Sequence, residues 1–222
     1  MPARIDPARR RQQVVEAAFR LVVAEGIEGL TLRRVADASH LNIGSVRHYF
    51  DGHQDLLAAA AQEAGDRMGR RLARHPLEHL DGLDGEAAVD ALQALVEEVL
   101  PVDEDRRGEA IVVVELIMAS RTRPVFQAMA ARMASDLSMV AHDALATLGV
   151  SDPRMRAAQL TATIGGLTLD AVTPHGALTV GQLRATLRAQ LRMLLGSAGI
   201  EGDRGAPVDQ PETRSDQCSS PR

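Results

Sequence analysis

The chain has 222 residues, 25 arginines and no lysine, 30 acidic residues and a formal net charge of −5. A hydrophobic share of 45% with 25% charged residues is that of an ordinary globular protein, which argues against wholesale disorder. A single cysteine, Cys218, excludes an intramolecular disulfide and a multi-cysteine metal site, and without a bilayer-length apolar stretch or an apolar leader behind Arg4 and Arg9 to Arg11, the composition points to a cytoplasmic protein with no membrane partner.

Acidity taken over the whole chain speaks against a nucleic-acid partner, because DNA affinity depends on neutralising phosphates. The charge is uneven, however. Residues 1–75 carry 12 arginines against nine acids, a net of +3, whereas residues 76–222 carry a net of −8. A basic front on an acidic body suits a chain whose one end meets a polyanion, although simple scatter also produces a difference of this size.

Few aromatic or β-branched runs and abundant Ala, Leu, Arg and Glu predict an all-α fold. From Arg9 to Glu25, Val15, Ala18, Phe19 and Val22 recur at helical spacing and Gly26 supplies a stop. Thr31 then caps a short helix through Leu32, Val35 and Ala36, and Asn42 caps a second carrying Ile43 and Val46. Only Ser39 to Leu41 separate the two. A longer helix runs from about His53 to Arg74 and ends at His75-Pro76, since the residue before proline avoids helical geometry. Behind it, helices are predicted near 85–100, 105–120, 124–148, 153–172 and 179–197, about nine in all. Residues 199–222 lack periodicity and read as a disordered tail.

Two short capped helices joined by a tight turn, with an amphipathic helix on either side, form a helix-turn-helix whose second helix suits a major groove. Thr31-Leu-Arg-Arg-Val35-Ala36, Leu41-Asn42-Ile43-Gly44-Ser45-Val46-Arg47-His48-Tyr49-Phe50 and Leu56-Leu57 resemble the TetR/AcrR family of bacterial transcriptional regulators over about residues 10–58. The resemblance implies a DNA-binding domain at 1–52, a connecting helix at 53–75 and a larger helical ligand-binding and dimerisation domain at 76–198. Beyond residue 75 it is one of architecture alone.

On the residues themselves, Arg33, Asn42, Ser45, Arg47, His48 and Tyr49 are polar groups suited to base edges or phosphates, while Ile43 and Gly44 permit close approach to the groove. Val35, Ala36, Val46 and Phe50 fit a core. The family's usual phosphate contacts map onto Arg47, Tyr49 and His53, helped by the amide end of the helix that follows. Three positions depart from the family's habit: His40 stands where glycine commonly turns the chain, Arg47 where tyrosine is frequent and His53 where lysine is frequent. Arg9, Arg10 and Arg11 suit either a flexible arm on DNA or a solvated helix start.

A single unit of this kind reads little sequence, so a homodimer on a two-fold double-stranded operator is expected. Leu160, Ile164 and Leu167 on one late helix and Leu183, Leu187, Leu191 and Leu194 on the next form stripes that suit either a dimer surface, with Gly165 allowing close approach, or the core of one chain. The resemblance also implies a pocket for an unknown small-molecule effector. Met118, Met129, Met133 and Met139 are soft side chains for lining it, although methionine at this spacing also serves as plain core. Phe126, Glu115, Gln127, His142 and Asp170 are further candidates. Phe126 alone cannot build an aromatic cage for a quaternary ammonium ion. His75 and His79 lack a third ligand for a metal, and no phosphate loop, nucleophile elbow or Cys-His pair suggests an enzyme or a cofactor. A helical protein-interaction module without specific DNA binding is the other reading.

Overall fold

The computed structural model describes residues 6–196. Among them the fold is all-helical: α1 (Pro7–Glu25), α2 (Leu32–Ala38), α3 (Ile43–Tyr49), α4 (His53–Leu72), α5 (Gly85–Glu97), α6 (Glu104–Ser120), α7 (Gln127–Thr147), α8 (Pro153–Val172) and α9 (Val180–Gly196), with 3-10 turns at Ile27–Gly29, Leu77–Leu80 and Pro124–Phe126. The tail expected at 199–222 lies outside the described residues.

Asp6 starts α1, its side chain accepting from the Ala8 N–H at 2.9 Å, with Pro7 at the first helical position, where a missing N–H costs nothing. The helix turns Val15, Ala18, Phe19 and Val22 inward as their spacing predicts, and ends at Gly26, whose φ of 68° suits glycine. α1 and the two short helices α2 and α3 do not close a core by themselves. The head core is accordingly completed by Leu56, Leu57, Ala60, Ala61 and Ala64 of α4, by Val112 and Leu116 of α6, and by Phe126. A Cβ added at Gly108 would lie 3.4 Å from the Phe19 ring, so α6 crosses α1 at close range.

A second core joins α5, α7, α8 and α9. It corrects one expectation. Leu160, Ile164, Leu167, Leu183, Leu187, Leu191 and Leu194 are all buried inside a single chain, where they pack with Leu92, Leu95 and Leu145. Four amphipathic helices must close a core before a second copy can be met, and these stripes serve that purpose. Gly165 faces the other way and is exposed.

The connecting helix α4 ends in the body, where Leu72 packs on the second core. Beside it Arg71 donates from Nε and Nη2 to the Glu98 carbonyl at 3.1 and 2.9 Å, and forks onto the Glu109 carboxylate, Nη1 meeting Oε1 at 2.9 Å and Nη2 meeting Oε2. Glu109 is 1% exposed. Arg106 reaches the Glu98 carboxylate at 2.8 Å, and His75 meets its other oxygen at 3.0 Å. Removing one member of a buried pair strands the other, so Glu109→Leu or Arg71→Met alone should lower unfolding free energy by about 3–5 kcal/mol in urea titrations, whereas the double variant should recover most of the loss.

At the far side α9 clamps α5: Arg192 and Arg188 both hydrogen-bond Glu86. Arg192 first and Arg188 second hold the Glu86 carboxyl well below the usual carboxylate range, at about 2. A lowered native pKa contributes stability above the unfolded value of about 4.3 and loses it as pH falls from there towards the native value. The melting-temperature difference between wild type and Glu86→Gln should therefore be full at pH 6 and vanish as pH approaches 2.

Candidate nucleic-acid interface

The helix-turn-helix is fastened by side-chain caps. Thr31 Oγ1 accepts from the Arg34 N–H at 3.3 Å and Asn42 Oδ1 from the Ser45 N–H at 2.7 Å. Between them the chain turns through His40, at φ 56°, a left-handed conformation that costs a side-chain-bearing residue roughly 1–2 kcal/mol. The turn is held by the Leu41 N–H on the Ala36 carbonyl at 3.0 Å and by Gln13 Nε2 on the Ser39 carbonyl at 2.7 Å. His40 thus adopts the backbone expected where glycine is usual.

Only Val46 of α3 is buried, while Ser45 and Tyr49 are half-buried and Asn42, Ile43, Gly44, Arg47 and His48 are exposed. The outward face is therefore two i,i+4 pairs, Ile43 with Arg47 and Gly44 with His48. Gly44 leaves the middle of this face flat, the nearest atom to an added Cβ being Asn42 Oδ1 at 3.3 Å. The His48 and Tyr49 rings meet edge to face, 5.0 Å between centroids. Exposed His53 opens α4, whose first turn has no side-chain cap from Gly52, while Asp55 Oδ2 accepts from the Asp51 N–H at 3.0 Å. Arg33 is exposed, whereas Arg34 forks onto Glu25 and is already committed. Arg9, Arg10 and Arg11 lie inside α1, and Arg11 stacks over Phe50 at 5.2 Å. That fixes all three to the helix, against the flexible-arm reading.

The effector residues do not converge. Phe126 is sealed in the head core, with Met129 and Met133 packed against it. Met118, Met139 and Gln127 are exposed, and His142 pairs with Asp143 on a half-exposed flank of α7. Asp170 sits at the end of α8, its carbonyl accepting from the Leu178 N–H. The crevice in the body core is wholly apolar, lined by Leu92, Leu95, Val96, Leu137 and Ile164 among others, and has a volume of only about 10 Å³. Glu115 and Met118 do share a cleft of about 190 Å³ with Ile27, Ala119, Thr122 and Arg123. Sequence reasoning missed those last four because nothing in their spacing joins residue 27 to α6.

Two family models match the chain. Residues 14–60 match "Bacterial regulatory proteins, tetR family", and residues 88–196 match "BetI-type transcriptional repressor, C-terminal". Over 72 residues the chain is 36% identical to the HTH-type transcriptional regulator PksA of Bacillus subtilis, covering 32% of this chain and 35% of that protein. Over 122 residues it is 29% identical to the HTH-type transcriptional repressor AcnR of Corynebacterium glutamicum, covering 55% of this chain and 56% of the relative. The matches thus span about a third to just over half the length of these curated relatives. A solved transcriptional regulator from Rhodococcus sp. Rha1 superposes with a TM-score of 0.76 at 27% identity, over 86% of this chain and 98% of that one.

Because Asn42 Oδ1 is spent on the cap, its substitution separates stability from recognition. Asn42→Ala should cost about 1 kcal/mol in thermal or urea unfolding, and Asn42→Asp, which caps equally well, should leave stability near wild type.

Proposed function

The chain belongs to the TetR family of bacterial regulatory proteins, and on that premise we propose that it is a sequence-specific transcriptional regulator: a homodimeric repressor that leaves its operator when a small molecule binds the body. The carrying observation is the outward face of α3, where Ile43, Gly44, Arg47 and His48 are exposed around one buried anchor, Val46. Arg47 and His48 supply donors for guanine edges or phosphates, Ile43 an apolar contact for a thymine methyl, and Gly44 the room for close approach. Ser45, Tyr49, His53 and Arg33 flank this face, and the start of α4, with no side-chain cap, suits a backbone phosphate.

Two such heads must sit about one DNA turn apart, which calls for a dimer. With the leucine stripes inside each chain, the surface available to a second copy is the opposite face of α8 and α9: Ala158, Ala162, Gly165, Gly166 and Leu169 on one helix, Gly181, Ala185 and Ala189 on the other, all exposed. Small residues there permit close helix packing across a two-fold axis. The effector acts by favouring a body conformation in which the head spacing no longer matches the operator. Buried Phe126 offers no aromatic cage, so a quaternary ammonium held by cation–π contact is a poor fit among the described residues.

A gel shift against the DNA flanking the protein's own gene tests the reading. Binding should be selective and fall steeply with salt. The Arg47→Ala/Tyr49→Phe double variant should bind at least roughly tenfold more weakly while its melting temperature stays near wild type. Equal binding to any duplex, or none at low salt, overturns it in favour of a protein-interaction module.

A further inference from the structure

A recognition helix reads sequence only through side chains that reach base edges, and the residues towards its start are the ones that do so. On α3 one column meets that condition. Ile43 is 40% exposed, the only large apolar side chain of α1 to α4 left so open among the described residues. Arg47 lies one turn further along the same column, about 6 Å on and about 40° round the helix. Gly44 stands beside it with no side chain to hold the column off a groove floor.

Arg47 is also uncommitted. Other arginines of α1 to α4 are engaged: Arg34 with Glu25, Arg67 with Glu16 and Glu63, Arg20 with the Ala38 carbonyl and Arg11 with the Phe50 ring. The Arg47 side chain has no ion pair or hydrogen bond among the described residues, which leaves its planar fork of donors open. Asn42 does not compete for a base. Bidentate reading of adenine needs its amide oxygen and nitrogen together, and Oδ1 is held by the Ser45 N–H at 2.7 Å. His48 and Tyr49, edge to face with each other, are turned from Ile43 by about 140° and 120° round the helix.

We propose that each half-site of the operator carries a guanine whose O6 and N7 take the fork of Arg47 and, within about two base pairs of it, a thymine whose methyl group packs on Ile43. The fork matches that pair of acceptors, and about 6 Å along the helix spans less than two base-pair steps of about 3.4 Å. An exposed isoleucine gains nothing from a phosphate, so its column lies over bases, and His48, Tyr49 and His53 are left for the sugar-phosphate backbone. Arg47 stands where tyrosine is frequent in the family, which makes the guanine a preference of this chain. The inference rests on the reading of the chain as an operator-binding regulator.

Selection of duplexes from a randomised pool by the full chain, read by sequencing, should enrich a two-fold motif with such a guanine and thymine in each half. In the selected duplex, 7-deazaguanine at that position, which lacks the N7 acceptor, should weaken wild type roughly tenfold and leave Arg47→Ala unaffected. Uracil in place of the thymine, which lacks the methyl group, should weaken wild type about threefold and leave Ile43→Ala unaffected. Both modified duplexes are read on unaltered protein, so no folding defect can mimic the result. Arg47→Ala should accept all four bases alike at the guanine position. A motif without guanine and thymine so spaced, indifference of wild type to either modified base, or an Arg47→Ala variant that keeps its base preferences while losing affinity equally for every duplex, as loss of a phosphate contact would cause, overturns the proposal and leaves the regulator reading standing. No enriched motif at all overturns both.

Discussion

Taking a carboxylate out of water costs several kcal/mol unless a cation meets it with its hydrogen bonds satisfied. Glu109, buried in the first half of α6, meets that condition only through the fork of Arg71 at the end of α4. The same guanidinium donates twice to the carbonyl of Glu98, just past α5. One side chain therefore joins the helix leaving the head to two helices of the body. The geometry is directional: α4 cannot slide along its axis, and α5 cannot part from α6 near this point, without breaking one arm of the fork and exposing a buried charge.

That fastening makes α4 a strut with different joints at its ends. Near the head it is held by alanines and leucines, contacts that tolerate small rotations because dispersion has little angular preference. At the body it is held by a planar, bidentate ion pair that tolerates almost none. A second tie between α1 and α4 runs through Arg67, which bonds Glu16 and Glu63 and covers the Phe19 ring at 4.7 Å. Head and strut are thus tied by charged contacts as well as by apolar packing.

Much of this was legible in the chain because it is local. Caps at Thr31 and Asn42, the left-handed turn at His40, the breaks at Pro76 and Gly149 and the helical spacing of Val15, Phe19 and Val22 are all decided within a few residues of one another. Helix ends fall within three residues of their expected places, and at the start of α7 the difference is the 3-10 turn Pro124–Phe126, whose tighter winding uses similar apolar spacing. What depends on partners far apart in sequence was not legible. Leu183 to Leu194 form a stripe that fits a second copy as well as a neighbouring helix, and only the placement of α5 decides it. The methionines of α7 looked like pocket lining, but Met129 and Met133 lie against the head because Phe126 anchors the start of that helix there. Arg123 and Ile27 share a cleft through a close approach of α6 to a turn that no periodicity announces.

The head core is completed by Val112 and Leu116, while the helix that carries them is anchored in the body through Glu109. Pulling the head away would strip these side chains of their cover and leave α1 to α3 without a closed interior. The head therefore borrows part of its interior from a helix whose other attachments lie in the body.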